Sequence, residues 1–216
     1  MHVKICCIAS LAEAHLALEA GAAALGLVSA MPSGPGVIDE ALIAQIISAL
    51  PRDVDTFLLT AQTELAPIAA QVRRCRPRTL QLVDAVAPRV LRDLRRGLSP
   101  QTKLVQVIHV SGEAALAEAL AVAPLVDALL LDSGNPQAAV KQLGGTGRTH
   151  DWAVSRAIRD QAGVPVWLAG GLNAGNVAEA IETVRPHGVD LCNGLRSEGR
   201  LDAGALRAFF DTVAAF

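Results

Sequence analysis

Two residues of this chain have the type and the setting for proton transfer. Asp132 ends the apolar run Leu129–Leu131, and apolar surroundings raise the pKa of a carboxyl group toward that of a useful general acid. Cys6 follows Lys4 by two residues, so the two side chains share one face of a strand. Nearby positive charge stabilises a thiolate, which can then accept a proton. The pair therefore predicts general acid and base catalysis.

Each of these residues also has a purely structural interpretation. Asp132 precedes Ser133-Gly134-Asn135-Pro136, and an aspartate in this position often caps the following turn. Cys6 is equally well interpreted as a small buried residue, because burial is the usual fate of a free cysteine. The sequence leaves both alternatives open.

Two short glycine-containing segments have a composition suited to binding an anion. Gly170-Gly171 and Asn193-Gly194 each follow an apolar run. Glycines let the main chain approach a phosphate, and a helix N-terminus adds a favourable dipole. The alternative is that these glycines only form tight turns. Their matching positions favour phosphate binding and a small phosphorylated sugar as substrate.

A third glycine-rich segment, Gly144–Thr149, lacks the spacing of a nucleotide-binding P-loop. It is better interpreted as a mobile flap or a substrate-contacting loop. Gly145 and Arg148 within it, together with Gln81 at the end of an earlier strand, are candidate substrate-binding residues.

The histidines and cysteines do not indicate a metal site. The five histidines are scattered, and no Cys-x-x-Cys pair is present. Four cysteines are too few for a disulfide framework, so we expect free thiols, with Cys6 and Cys7 on opposite faces if they lie in a strand. We expect neither a metal nor a cofactor.

The elements that must position these residues follow a regular alternation. Short apolar runs alternate with segments of helical spacing, about every 27 residues, which gives eight strand–helix pairs. The predicted strands are Val3–Ile8, Ala24–Val28, Asp55–Leu59, Thr79–Leu82, Lys103–His109, Ala128–Asp132, Val164–Ala169 and Gly188–Leu191. The predicted helices are Leu11–Glu19, Asp39–Leu50, Leu65–Arg74, Pro88–Arg95, Glu113–Val122, Trp152–Ala162, Val177–Arg185 and Asp202–Ala215, with Ser10, Ser111 and Asp151 as N-caps.

Apolar strands joined by helices predict a parallel sheet covered by helices, and eight units fit a closed (β/α)8 TIM barrel. We expect an α/β protein with one domain over residues 1–216. The alternative is an open, doubly wound sheet. In a barrel, the active site lies at the C-terminal ends of the strands, where the candidate residues fall.

Composition excludes several classes of protein. The hydrophobic fraction of 51% and the charged fraction of 19% exclude a disordered chain. A net charge of −2 and few aromatic residues argue against nucleic-acid binding. No apolar stretch approaches the length of a membrane span, and the N-terminus shows no export signal, so we expect a cytoplasmic protein. The oligomeric state is not predicted.

Several segments together resemble the phosphoribosylanthranilate isomerase family of tryptophan biosynthesis, almost from end to end. They are Lys4-Ile5-Cys6, Glu19–Gly26, Leu130–Ser133, Gly144–Trp152, Leu168–Asn173 and Gly199–Asp202. The resemblance implies a (β/α)8 barrel that performs a cofactor-free Amadori rearrangement of N-(5-phosphoribosyl)anthranilate. It also implies that Asp132 is the general acid, that Cys6 is the general base, and that Gly170, Gly171 and Gly194 bind the substrate phosphate.

The chain departs from the family pattern at the rim of the site. Cys7 stands where the family has glycine, and Ser33–Gly36 replaces a Ser-Pro-Arg whose arginine pairs with the anthranilate carboxylate. Val83-Asp84 and Cys192–Arg196 also differ from the usual residues.

Three hypotheses follow from these departures. The chain is a divergent family member in which Arg148, Arg196 or another residue supplies the missing charge, an isomerase of another phosphosugar, or a non-catalytic barrel that binds a phosphorylated metabolite.

Overall fold

Eight parallel strands form a closed barrel in the computed structural model, which describes all 216 residues. Each strand pairs with the next in chain order, and β8 pairs with β1. The strands are β1 His2–Ile5, β2 Ala24–Val28, β3 Asp55–Thr60, β4 Thr79–Leu82, β5 Lys103–His109, β6 Ala128–Asp132, β7 Val166–Leu168 and β8 Gly188–Leu191. The closed order confirms the predicted (β/α)8 barrel and excludes the open sheet.

Eight helices alternate with the strands and cover the outside of the barrel. They are α1 Leu11–Glu19, α2 Glu40–Ala49, α3 Leu65–Cys75, α4 Pro88–Gly97, α5 Ala114–Val122, α6 Trp152–Gln161, α7 Val177–Val184 and α8 Ala203–Val213. A short hairpin that the sequence analysis did not predict, β9 Arg196–Ser197 and β10 Arg200–Leu201, precedes α8. No helix combines the length and the apolar character that crossing a membrane requires.

The helix caps were predicted correctly in two of three cases. Ser10 and Asp151 accept hydrogen bonds from the main-chain N–H groups of Glu13 and Ala153 at the starts of α1 and α6. The prediction for Ser111 was wrong, because α5 begins later, after Glu113, without a side-chain cap.

In β2, β3, β5, β6 and β7, alternate residues belong to two separate apolar clusters. One cluster packs between the strands and the helices and includes Ile5, Leu25 and Leu58. The other lies inside the barrel and includes Phe57 and Leu130. The separation follows from the period of two in a strand, which sends neighbouring side chains to opposite faces.

The N-terminal end of the barrel interior is filled by Trp167. Its indole ring meets the ring of Phe57 edge to face, with centroids 5.7 Å apart. Gly188 on the neighbouring strand leaves room for it, since a Cβ atom at this position would lie 2.5 Å from the indole ring. The packed N-terminal end leaves the C-terminal end of the barrel for a cavity.

We expect Gly188→Ala to lower the free energy of unfolding by about 1–3 kcal/mol, because the added methyl group overpacks the interior against Trp167. Denaturant unfolding of the purified variant measures the change. Gly97→Ala is the matched control, since no atom lies within 4 Å of its added Cβ and alanine favours the helix. Equal stability of the two variants would contradict this account.

Candidate active site

A cavity of about 320 Å³ opens at the C-terminal ends of the strands. This is the end at which barrel enzymes carry their active sites. Eight of the nine candidate residues line it, namely Cys6, Gln81, Asp132, Gly145, Gly170, Gly171, Asn193 and Gly194.

Arg148 is the candidate that does not line the cavity. The residue is exposed, and its main chain packs against Gly171, where a Cβ atom would lie 2.6 Å from the Arg148 carbonyl carbon. Arg196 forms an ion pair with Glu13 at 2.9 Å and donates to the carbonyl oxygen of Cys7 at 2.6 Å. Neither arginine side chain therefore lines the cavity.

Asp132 caps the following turn with one carboxyl oxygen and leaves the other free. Its Oδ1 atom accepts a hydrogen bond from the main-chain N–H of Ser133 at 2.7 Å, which caps the turn. Its Oδ2 atom accepts no hydrogen bond from the protein and lies close to Gly144 in the cavity wall. Burial raises the pKa of this carboxyl against the opposing effect of the Ser133 N–H. The free oxygen therefore belongs to a cavity-lining carboxyl group with a raised pKa, which is what a general acid requires.

Cys6 lies just beyond the end of β1, beside Lys4 as predicted. Gly26 on β2 makes room for both side chains, since a Cβ atom there would lie 2.8 Å from Cys6 Sγ and 3.2 Å from Lys4 Cε. The long apolar stem and the ammonium group of Lys4 are fully buried, with 0% exposure.

Lys4 and Asp190 form a buried ion pair beneath the cavity, which the sequence analysis missed. Lys4 Nζ lies 2.8 Å from Asp190 Oδ2 and 5.1 Å from the centre of the Phe57 ring. Burial disfavours the ammonium form of Lys4, but Asp190, Cys6 and Cys7 together outweigh this effect and raise the pKa of Lys4. Asp190 itself lines the cavity, and its Oδ1 atom has no partner. A charged residue inside a short apolar strand is the sequence signal that could have found it.

Cys7 also lines the cavity. The predicted strand Val3–Ile8 was too long at its C-terminal end, so the opposite faces expected of Cys6 and Cys7 within a strand do not apply. β1 ends at Ile5, and Cys7 adopts a left-handed backbone conformation with φ of 63°. The alternation of a strand therefore does not extend to these residues. Cys7 packs against Gly36, where a Cβ atom would lie only 2.4 Å from Cys7 Cβ.

One end of the cavity offers main-chain N–H groups. Gly170, Gly171 and Leu172 line it, and their N–H groups make no hydrogen bond within the protein. Gly194 approaches the same loop so closely that a Cβ atom there would lie 2.3 Å from the Leu172 carbonyl oxygen. Asn193 donates from Nδ2 to the Gly145 carbonyl oxygen at 2.9 Å, which ties the loop after β8 to the glycine-rich loop after β6.

The opposite side of the cavity is apolar. Residues from β2, the β2 loop, β3, β4 and the β6 loop form it, and they are Val28, Met31, Leu59, Val83 and Leu143. No lysine or arginine lines the cavity. In the closed strand order, β3 and β4 lie across the barrel from β7 and β8, and β1 and β6 lie between them. The apolar residues and the free N–H donors therefore lie on opposite sides, with the thiol after β1 and the acid of β6 between them.

Comparison with known proteins shows the family. Residues 3–212 match the family described as N-(5'phosphoribosyl)anthranilate (PRA) isomerase. Proteins named N-(5'-phosphoribosyl)anthranilate isomerase are similar along their whole length. The one from Methanocella arvoryzae is 34% identical over 98% of this chain and 97% of its own. The one from Haloferax volcanii is 35% identical over 96% and 90%.

Solved structures give the same result. The phosphoribosyl anthranilate isomerase of Thermotoga maritima superposes with a TM-score of 0.85 at 27% identity, covering 100% of both chains. A phosphoribosyl anthranilate isomerase in complex with reduced 1-(o-carboxyphenylamino)-1-deoxyribulose 5-phosphate gives a TM-score of 0.82 at 25% identity, again over 100% of both chains. This chain belongs to the N-(5'-phosphoribosyl)anthranilate isomerase family.

Proposed function

We propose that this protein isomerises N-(5'-phosphoribosyl)anthranilate to 1-(2-carboxyphenylamino)-1-deoxyribulose 5-phosphate, with Asp132 as general acid and Cys6 as general base. The observation that carries the proposal is the convergence of a free carboxyl oxygen and a thiol on one cavity, between an apolar region and a set of free N–H donors. The order of these groups matches the order of aromatic ring, sugar and phosphate in the substrate.

Asp132 opens the sugar. Its raised pKa keeps a proton available on the carboxyl group, and Oδ2 is the oxygen free to donate it. Transfer of that proton to the furanose ring oxygen lets the bond between this oxygen and sugar carbon 1 break. The anthranilate nitrogen supplies the electron pair, which gives a Schiff base.

Cys6 completes the rearrangement. Its thiolate removes the proton from sugar carbon 2, and the resulting enolamine tautomerises to the aminoketose. The buried ammonium group of Lys4 lies near this thiol, and Asp190 Oδ2 holds it in place at 2.8 Å. Every step is a proton transfer, and none calls for a cofactor.

The two ends of the cavity bind the two ends of the substrate. The unpaired N–H groups of Gly170, Gly171 and Leu172 suit the phosphate oxygens. The apolar side, which includes Leu59 and Val83, suits the aromatic ring.

The carboxylate of the substrate requires donors other than arginine in this chain. Cys7 leaves no room for a side chain at Gly36, and no cation lines the cavity. The main-chain N–H groups of Gly144–Gly147 line the cavity and make no hydrogen bond within the protein. Gly145 packs against Pro35, on the side where the β2 loop lies. We assign carboxylate binding to these N–H groups.

The absence of a cation also favours a second candidate, an isomerase of a phosphosugar without the carboxylate. An assay with the anthranilate substrate, generated in place, beside an amine-linked phosphosugar without the carboxyl group distinguishes the two. Faster turnover of the anthranilate compound supports the first function. Exclusive turnover of the other compound supports the second.

We expect Cys6→Ser to lower turnover of the anthranilate substrate at least about 100-fold, because a hydroxyl group is a far weaker base than a thiolate. Steady-state assays on purified protein measure the effect. Cys75→Ser is the matched control, since Cys75 is a buried thiol on α3 outside the cavity. Full activity in Cys6→Ser would remove the thiol from the mechanism.

We expect Asp132→Asn to lower turnover by about 100-fold to 10,000-fold and to increase stability at neutral pH. A carboxyl whose pKa is raised by folding stabilises the protein below its unfolded pKa, and that contribution is lost as pH rises through the folded pKa. Asparagine stays uncharged, so the gain should be present at pH 7 and fade in acid. Denaturant midpoints across this pH range test the second effect. An unchanged midpoint at neutral pH would contradict the burial argument.

We expect Gly194→Ala to raise KM for the substrate and the inhibition constant of inorganic phosphate about tenfold or more, with a smaller effect on kcat. The added methyl group would collide with the Leu172 carbonyl oxygen and displace the N–H donors. Gly175→Ala is the control, because Gly175 lies in the loop after β7 that carries the N–H donors and its added Cβ has its nearest contact at 3.2 Å. Unchanged phosphate inhibition in Gly194→Ala would place the phosphate elsewhere.

A further inference from the structure

Two thiols that the proposed mechanism does not use meet at the rim of the cavity. Cys7 follows β1, Cys192 follows β8, and both side chains line the cavity. The two strands pair there, with Ile5 opposite Leu191 and a hydrogen bond of 2.7 Å from the Cys6 N–H to the Leu191 carbonyl oxygen. Residues that follow adjacent paired strands lie within the range of Cα distances that a disulfide spans.

The backbone holds the Cys7 side chain in this position. Its φ of 63° is unusual for a residue other than glycine, and it turns the side chain toward the cavity. Gly36 provides the space, because any Cβ atom there would overlap Cys7. The Cys7 thiol also lies 3.7 Å from the Pro35 carbonyl oxygen. The left-handed backbone that presents this thiol is thus unfavourable in conformational free energy.

The two thiols differ in reactivity. The neighbouring Cys7 side chain and the Arg196 guanidinium lower the pKa of Cys192 against the opposing effect of burial. The nearby Cys192 and Cys6 side chains, together with burial, raise the pKa of Cys7. Cys192 is partly exposed, whereas Cys7 is buried. The pair therefore has an accessible attacking thiolate beside a second thiol that can resolve its oxidised form.

We propose that Cys7 and Cys192 are an oxidation site, which a hydroperoxide converts to a disulfide inside the active-site cavity, with reversible loss of activity. The loss of activity rests on the proposed function, whereas formation of the disulfide does not.

The chemistry balances in two steps. The Cys192 thiolate attacks one peroxide oxygen, the O–O bond breaks, and the second oxygen leaves with a proton as water or alcohol, giving a sulfenic acid. The Cys7 sulfur then attacks Cys192 Sγ, the S–O bond breaks, and water leaves. The two thiols lose two electrons and two protons, and the hydroperoxide is reduced. A dithiol reductant reverses the change by thiol–disulfide exchange.

The disulfide stops turnover because of where it forms. It fixes the residue next to Cys6 to the segment that begins the phosphate end of the cavity. Cys192 Sγ lies 3.5 Å from Asn193 Oδ1, and Asn193 holds the glycine-rich loop through the Gly145 carbonyl oxygen. Drawing Cys192 toward Cys7 breaks the first contact and shifts the loop that the second one anchors.

The test exposes the full-length reduced protein to dilute hydrogen peroxide and follows activity, free thiols and peptide masses together. We expect the four free thiols to fall to two. A Cys7–Cys192 peptide that has lost two hydrogen atoms should appear, activity should fall about tenfold or more, and dithiothreitol should restore all three. Each variant is normalised to its own activity before oxidation.

Three variants separate this proposal from damage to Cys6. Cys7→Gly and Cys192→Ser should resist inactivation at the same peroxide dose, and Cys6→Ser should still form the cross-link although its turnover is low. A cross-link that includes Cys6, or inactivation of Cys192→Ser at the wild-type rate, would overturn the proposal. Formation of the Cys7–Cys192 disulfide without any change in activity would overturn its inhibitory role. A protein that forms the disulfide but shows no isomerase activity when reduced would instead count against the proposed function.

Discussion

The buried ion pair between Lys4 and Asp190 is the interaction on which the barrel and its site both depend. It joins β1 to β8, the two strands whose pairing closes the barrel, with Lys4 directly opposite Asp190 in the register. Removing one partner would leave an uncompensated buried charge, which typically costs about 3–5 kcal/mol. Asp190 of this pair also lines the cavity, together with Cys6. The same ion pair therefore links the two closing strands and places a charge near the thiol.

Several features of the site lower the stability of the fold. Asp132 and Asp190 are carboxyl groups in a largely apolar barrel interior, and Cys7 has a left-handed backbone. Each of these features is unfavourable alone. The packed end around Trp167 and the two apolar clusters stabilise the barrel sufficiently to hold them. The packed N-terminal end of the barrel thus provides stability, and the polar C-terminal end carries the chemical groups.

The sequence predicted the fold well because its signals are local. Apolar strands with helices between them follow from periodicity, and most element bounds agree within two residues. The sequence predicted the part of the site that lies at the ends of strands. This placed Cys6, Asp132 and the glycine-containing loops at one rim of the barrel. The partnership of Lys4 with Asp190 could not be predicted, because it joins residues at opposite ends of the chain through barrel closure. The failure at Cys7 has a local cause, since nothing in the residue types shows that β1 ends at Ile5.

The departures at the rim are connected to one another in space. Cys7 fills the position beside residue 36, so the absence of an arginine there follows from packing against another loop. Arg196 donates to the Cys7 carbonyl oxygen and pairs with Glu13, which in turn accepts from the Leu201 N–H at the hairpin. Residues 7, 36, 192 and 196 thus form one fitted network around an unchanged acid and thiol. In a barrel without catalytic activity, nothing would require Cys6 and Asp132 to line the same cavity while the residues of the rim differ. The rim is better explained as an alternative solution to binding the same class of substrate.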